Sequence, residues 1–207
     1  VDRAKETLTV KAQALKKVRV AAAPKLCDAV TKQMSHLQMG SAQIELNFED
    51  LPFEQWNKVG STKIELMYKP SAQMTARPLR KIASGGEVSR VMLACKVVLG
   101  ESDVCDTLVF DEVDAGVGGA TAVALAEVLA QLAKTHQVIV VTHLPQVAVM
   151  ASKQYVVSKT EEHNALPVTS LTEVSGTQRE EEIARMLSGS ITEASLAHAH
   201  ELLSEVR

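Results

Sequence analysis

The sequence predicts an α/β fold: a mostly parallel sheet flanked by helices and preceded by a helical segment of coiled-coil character. Three observations predict it. Two short, continuously apolar runs, 107–110 (TLVF) and 138–141 (VIVV), are separated by a stretch of helical periodicity, and such alternation implies parallel strands joined by crossover helices. An apolar residue recurs at every seventh position early in the chain, at Val1, Leu8, Leu15, Ala22 and Ala29. Hydrophobic residues make up 46% of the 207 and aromatic ones only 3%, so a core of ordinary size is available and it must be aliphatic.

From Val1 to about Met39 the seven-residue recurrence, with Lys and Arg between the apolar positions, predicts a helix that Pro24 should interrupt or kink. The intervening seam positions, Ala4, Lys11, Val18 and Lys25, are only partly apolar, so a helix packed on the domain is as open as a coiled coil. Residues 1–40 are accordingly read as the helical end of an arm and 41–207 as the α/β body. Residues 42–48 (AQIELNF) and 62–68 (TKIELMY) alternate apolar and polar around a connection containing Pro52 and Gly60, which predicts a small antiparallel element. In the segment SGGEVSRVMLACKVVL, Val88, Val91, Met92, Cys95, Val98 and Leu99 fall on one helical stripe. The run 107–110 is too short and too apolar for anything but a buried strand. A helix over about 119–134, the second buried strand and a short helix from Pro145 complete the alternation. Residues 155–159 and 166–174 read as further strands at the sheet edge, and helices over about 178–187 and 192–205 close the chain.

Composition excludes several classes. Cys27, Cys95 and Cys105 form no CxxC pair and leave an odd one over, which fits a reducing compartment better than a disulfide framework. No apolar run approaches the roughly 18 residues of a membrane span, and the start VDRAKETL has no signal-peptide core. A cytoplasmic protein without membrane contact is expected. Val1 falls inside an amphipathic pattern already under way, so the chain reads as a fragment. The net charge of −3 conceals an asymmetry: residues 1–40 hold eight Lys and Arg against three Asp and Glu, residues 161–207 three against nine. A basic end of this kind is either a solvated helical face or a nucleic-acid footprint.

The chemistry-bearing residues lie at element ends. Ser84 and Glu87 have the spacing of a helix capping box, which explains both of them but not Gly85 and Gly86 between. Two glycines at a helix N-terminus expose backbone N–H groups at its positive end, an arrangement suited to an anion. Asp111 and Glu112 end the 107–110 strand, at the carboxyl edge where open α/β sheets bind ligands. Two buried carboxylates side by side need a shared cation or proton, and nucleotide-bound Mg²⁺ supplies positive charge. Asp111 would hold the metal, through water, and Glu112 would orient the attacking water. His143 follows the next strand and so reaches the same edge. The other histidines lack that context, and His198 and His200 do not share a helix face.

The order SGGE, helix, hydrophobic strand ending in Asp-Glu, strand ending in His is far more specific than any of its members, and it resembles the C-terminal lobe of the ABC ATPases. The surrounding words RKIASGGEVSR, LVFDEVDAGVGG, VTHLPQVA and REEEIARMLSGSITEASLAHAHELL look like the SMC-like DNA-repair branch of that superfamily, from about Gly60 to the end. The resemblance implies ATP and Mg²⁺ as ligands. It implies that Ser84, Gly85 and Gly86 form the signature motif, touching a γ-phosphate held by a second head, and that Asp111, Glu112 and His143 serve Mg²⁺, water and the γ-phosphate. Transporter-type members carry an Asp seven residues after Asp111; this chain has Gly118 there, so Asp114 or the local backbone would serve that interface.

No GxxxxGK followed by Ser or Thr occurs in the sequence, so nothing here cradles β- and γ-phosphates. The resemblance places that P-loop lobe at the N-terminal end of the same polypeptide, returned by a long antiparallel coiled coil of which residues 1–40 would be the end. The implied partners are that lobe, a second head joined in an ATP-dependent dimer, and DNA at the nucleoid, during double-strand break repair. Alone, the chain is expected to be inactive. Two other readings compete: a fragment of a transporter nucleotide-binding domain, against which the leading helix and EVDAG count, and a non-catalytic ABC-shaped scaffold, which would be expected to lose Glu112 or His143.

Overall fold

Residues Asp2–His36 form one helix, α1, in a computed structural model that describes residues 2–82, 84–100, 105–160 and 168–206. The helix passes through Pro24 without the interruption expected there. Proline removes the N–H that would reach the Val20 carbonyl and costs about 3 kcal/mol in a helix interior. On either side of it Ala23, Val30 and Met34 are buried, and fully burying a side chain the size of Val or Met returns roughly 1.5–3 kcal/mol, enough to carry the helix across. The packed face is not the heptad row: Leu8 and Leu15 are 49% and 39% exposed, whereas Ala12, Ala23, Val30 and Met34 face inward. Basic residues hold the first half of α1 by polar contacts. Lys5 sits 4.6 Å over the Phe53 ring, Lys16 pairs with Asp50 at 2.6 Å, and Arg19 donates to the Val59 carbonyl at 2.7 Å. Three of the eight cations at the basic end thus have partners within the chain.

The chain divides into two compact units, Val1–Val104 and Cys105–Arg207. In the first, strands β1 (Gln43–Asp50) and β2 (Thr62–Lys69) pair antiparallel as the alternation predicted, with Ile44 opposite Tyr68 and Phe48 opposite Ile64. The short β3 (Arg77–Pro78) joins β2 at Met67 and Tyr68. Helix α1 packs on β1 and on α2 (Gly85–Leu99), burying Val30, Met34, Ile44, Tyr68, Val91, Leu93 and Ala94. The stripe predicted on α2 is displaced, for Leu93 and Ala94 are buried while Met92 and Leu99 are exposed. A helix with apolar residues on more than one side offers several candidate faces, and which turns inward depends on where α1 lies.

In the second unit, β4 (Thr107–Phe110) and β5 (Gln137–Val140) pair in parallel, Phe110 opposite Val140, with helix α3 (Ala120–Leu132) between them in sequence. Leu108 and Phe110 are buried, as are Ala122, Leu125, Ala126, Leu129 and Leu132 of α3. The strands were expected to be buried on both faces. Instead Val109, Ile139 and Val141 are 66%, 48% and 58% exposed, because successive residues of a strand point to opposite faces and only one face is covered in this chain. Among the described residues parallel pairing is confined to β4 and β5.

Helix α4 (Pro145–Ala148) follows, then β6 (Gln154–Thr160) and β7 (Val168–Val174), which pair antiparallel with each other instead of extending the β4–β5 edge. Residues 166 and 167 of the predicted strand lie outside the described residues. Helices α5 (Gly176–Ser188) and α6 (Glu193–Glu205) close a second small core of Ala148, Val149, Ile183, Ala184 and Ala199. Arg179 of α5 ties it to the preceding segment by donating to the carbonyls of Ala148, Val149 and Ala151.

Burial pushes the Cys95 thiol up to about 11 from an ordinary 9.0. The neutral thiol is the form that suits the fold, so this contribution to stability is complete below pH 9 and is lost as pH rises through about 11. At pH 8, iodoacetamide should therefore modify the exposed Cys105 well over about tenfold faster than Cys95, read by peptide mass spectrometry. Equal rates would contradict the packing of α2 described above.

Candidate functional site

Ser84 is the N-cap of α2, exposed and in extended backbone, and its hydroxyl accepts from the Glu87 N–H at 3.4 Å. Of the reciprocal capping box the structure shows this half. Gly85 is exposed and Gly86 buried, and they belong to the first helical turn, whose N–H groups have no acceptor within the helix. A glycine-lined turn at the positive helix end suits an anion, with Glu87 the one charged residue in that turn. These three residues belong to the first compact unit.

The second unit brings Asp111, Glu112, Asp114 and His143 to one edge. Strand β4 ends at Phe110, whose carbonyl accepts from Val141 N–H at 2.9 Å, so the parallel register carries Asp111 and Glu112 out on the same side as the segment leading to His143. The two carboxylates were expected to be buried; both are exposed. Beyond Phe110 no further parallel ladder encloses them, and solvent screens their mutual repulsion.

Glu112 holds φ at +55°, a left-handed conformation that costs an L-residue roughly 1–2 kcal/mol. Its carbonyl accepts from Ala115 N–H at 3.0 Å and that of Asp114 from Val117 N–H at 3.0 Å, so the chain leaves β4 through successive tight turns. Such turns re-aim the side chains after the strand, and a strained non-glycine at the carboxyl end of a parallel strand makes its side chain a functional candidate.

The buried carboxylate is Asp114, only 3% exposed. Its Oδ2 lies 2.5 Å from the Thr142 hydroxyl, 3.0 Å from the His143 backbone N and 3.1 Å from His143 Nδ1. The Thr142 oxygen in turn accepts from Leu144 N–H at 3.0 Å. Sequence reasoning gave Asp114 only an interface role in place of the residue at Gly118. What could have marked it is an acidic residue four places past a strand end with Thr142 and His143 just after the neighbouring strand. The sequence does not tell which of three nearby carboxylates turns inward.

An Mg²⁺ ion fits the donors present. Among the described residues no group of three His, Cys, Asp or Glu side chains could hold an ion unaided. Mg²⁺ on a nucleotide needs no such cage, since phosphates and water fill most of its octahedron and one or two carboxylates complete it. Asp111, exposed at the strand end, is suitably placed to be that carboxylate.

Comparison with known proteins bears on which family carries this arrangement. No family model matches the chain. The DNA repair protein RecN of Streptomyces coelicolor is 40% identical over 207 residues, covering 95% of this chain and 36% of that protein. Further RecN proteins match at 38–48% identity. This chain is a homologue of RecN. It spans about a third of the length of those relatives, with SGGE, the Asp111–Glu112 strand end and His143 in that third. Its fold is that of SMC head domains: the Smc head with coiled coil and joint from Pyrococcus yayanosii superposes with a TM-score of 0.56 at 18% identity, covering 83% of this chain and 30% of that one. A chain described under ATP-driven dimerization and DNA-stimulated activation of SMC ATPases gives 0.50 at 19% identity, covering 84% and 98%. Among the described residues no helix of this RecN-like chain is long and apolar enough to cross a membrane.

If Glu112 is retained for its carboxylate at the expense of backbone strain, then Glu112→Gly should raise stability by about 1 kcal/mol, as a glycine relieves a positive φ. Urea denaturation of wild type and variant measures it, and a destabilised Glu112→Gly protein would remove the argument from strain.

Proposed function

We propose that this chain is the signature-bearing half of a RecN-like ATPase head acting in DNA double-strand break repair, and that it completes composite ATP sites with a P-loop lobe and a second head. The observation that carries the proposal is the convergence of Asp111, Glu112 and His143 at the carboxyl edge of β4 and β5. The SGGE turn supports it from the other unit by offering a glycine-lined helix N-terminus suited to an anion, with no phosphate loop in this sequence to fill it. Homology to RecN over nearly the whole chain counts against a transporter domain, and retention of Glu112 and His143 counts against a scaffold.

In this reading Asp111 holds the Mg²⁺, through water. The ion, when bound, neutralises charge developing on the β- and γ-phosphate oxygens. Glu112 accepts a hydrogen bond from the attacking water and orients it in line with the γ-phosphate, and His143 donates to a γ-phosphate oxygen. Ser84, Gly85 and Gly86 donate hydroxyl and backbone N–H groups to the γ-phosphate of the opposite head, which makes ATP the glue between heads and its hydrolysis the release. The exposed Val109, Ile139 and Val141 support a further lobe covering that face of the sheet, since a parallel sheet is ordinarily covered on both faces. Leu8, Leu15 and Val18, exposed along α1, suit the seam of a returning coiled-coil arm. DNA as the tethered partner rests on RecN homology and not on the basic end of the chain.

The experiment is Glu112→Gln in the full-length protein. The amide keeps the shape but loses the charge that polarises water, so Mg-ATP binding should persist while turnover falls by roughly 100-fold or more and heads stay joined. Turnover at the wild-type rate, by phosphate release, would move the water-orienting role elsewhere. In the same assay this chain alone should hydrolyse ATP at the background rate.

A further inference from the structure

Asp114 is the one carboxylate at this edge that is buried, and one of its oxygens accepts from the Thr142 hydroxyl and the His143 backbone N–H and lies 3.1 Å from His143 Nδ1. Desolvating a carboxylate is costly unless it is hydrogen-bonded, and donors from the Thr142 hydroxyl and the His143 backbone supply the compensation, with the His143 ring close by. The two elements joined are the turns leaving β4 and β5. The His143 side chain is otherwise 70% exposed. A histidine with so little packing would sample several rotamers, at an entropic cost to any step that needs one of them.

The close approach of Nδ1 to Asp114 limits that freedom. The His143 backbone N–H is bonded to Asp114 Oδ2 and the ring approaches the same oxygen through Nδ1 at 3.1 Å, so the ring is held at one nitrogen, and the remaining nitrogen, Nε2, lies away from Asp114. A hydrogen bond at one imidazole nitrogen also decides which tautomer the other presents, as a carboxylate behind a histidine ligand does in metal sites. Thr142 is pinned at the same time, since its hydroxyl donates to Asp114 and accepts from Leu144.

We infer that Asp114 is a positioning residue for His143: its buried carboxylate fixes the imidazole so that Nε2 faces the γ-phosphate, and it couples the turn carrying Glu112 to the turn carrying His143. The inference rests on the proposed role of His143 as a phosphate-contacting residue. It gives Asp114 a task different from the head interface that the absence of an Asp at Gly118 had suggested.

The test uses the full-length protein and a double-mutant cycle of Asp114→Asn and His143→Ala, with kcat and Mg-ATP affinity measured for each. Asparagine preserves volume but removes the charge that faces the His143 ring. Asp114→Asn should lower kcat between roughly 10- and 100-fold with Mg-ATP affinity within about twofold of wild type, and it should cost nothing further in the His143→Ala background. Independent, multiplicative losses overturn the inference, since a merely structural tie would not act through the imidazole; so does a wild-type kcat in Asp114→Asn. Wild-type turnover in His143→Ala alone sinks instead the phosphate-contacting role, and the inference with it, which separates the two failures. Should Asp114→Asn not fold, ¹⁵N NMR of histidine-labelled wild type decides, with the His143 signals assigned by their loss in His143→Ala. A proton on Nδ1 is expected, and a bare Nδ1 overturns the inference.

Discussion

Parallel pairing of β4 with β5 sets the geometry on which the site depends. Because the two strands run the same way with Phe110 opposite Val140, both carboxyl ends fall on one side, and whatever follows each strand is delivered to a common edge. Asp111 and His143 are 32 positions apart in sequence, and the pairing reduces that separation to neighbouring strand ends. An antiparallel pairing of the same two segments would have sent the two turns to opposite ends.

What happens beyond the strand ends is a contest between solvation and hydrogen bonding. Three carboxylates follow β4 within four residues. Two remain exposed to water, and the third is taken inside because donors await it on the adjoining turn. The tight turns that place Asp114 inward put Glu112 into positive φ. The burial of one acid and the strain of another are therefore linked outcomes of one short segment, VDAGVGG after Asp-Glu, with glycines where sharp turning continues.

The two compact units are stabilised differently. In the first, a helix that is apolar on one face only near its end is held at its other end by Lys and Arg contacts to the β1–β2 connection. In the second, α5 and α6 bury a small aliphatic cluster and Arg179 satisfies three carbonyls at once, fixing the segment that follows α4. Apolar surface is nonetheless left exposed on β4, β5, β6 and β7. That distribution accords with a chain spanning only about a third of the relatives it matches.

The sequence by itself determined the kind and order of the elements, because alternation, helical periodicity and turn residues are local signals. It determined the candidate residues too, since Ser84, Gly85, Gly86, Asp111, Glu112 and His143 sit at element ends that those signals mark. Tertiary structure decided which faces are covered: Val109 and Ile139 stand exposed in strands that composition reads as buried, and α2 turns Leu93 inward in place of Met92. It decided that β6 and β7 pair with each other, a matter of long-range register that strand propensity does not encode. It carried α1 through Pro24, where burial on both sides outweighs one lost hydrogen bond. And it chose Asp114 among three nearby carboxylates, because burying a charge depends on donors that arrive from a strand far away in sequence, which no local pattern can announce.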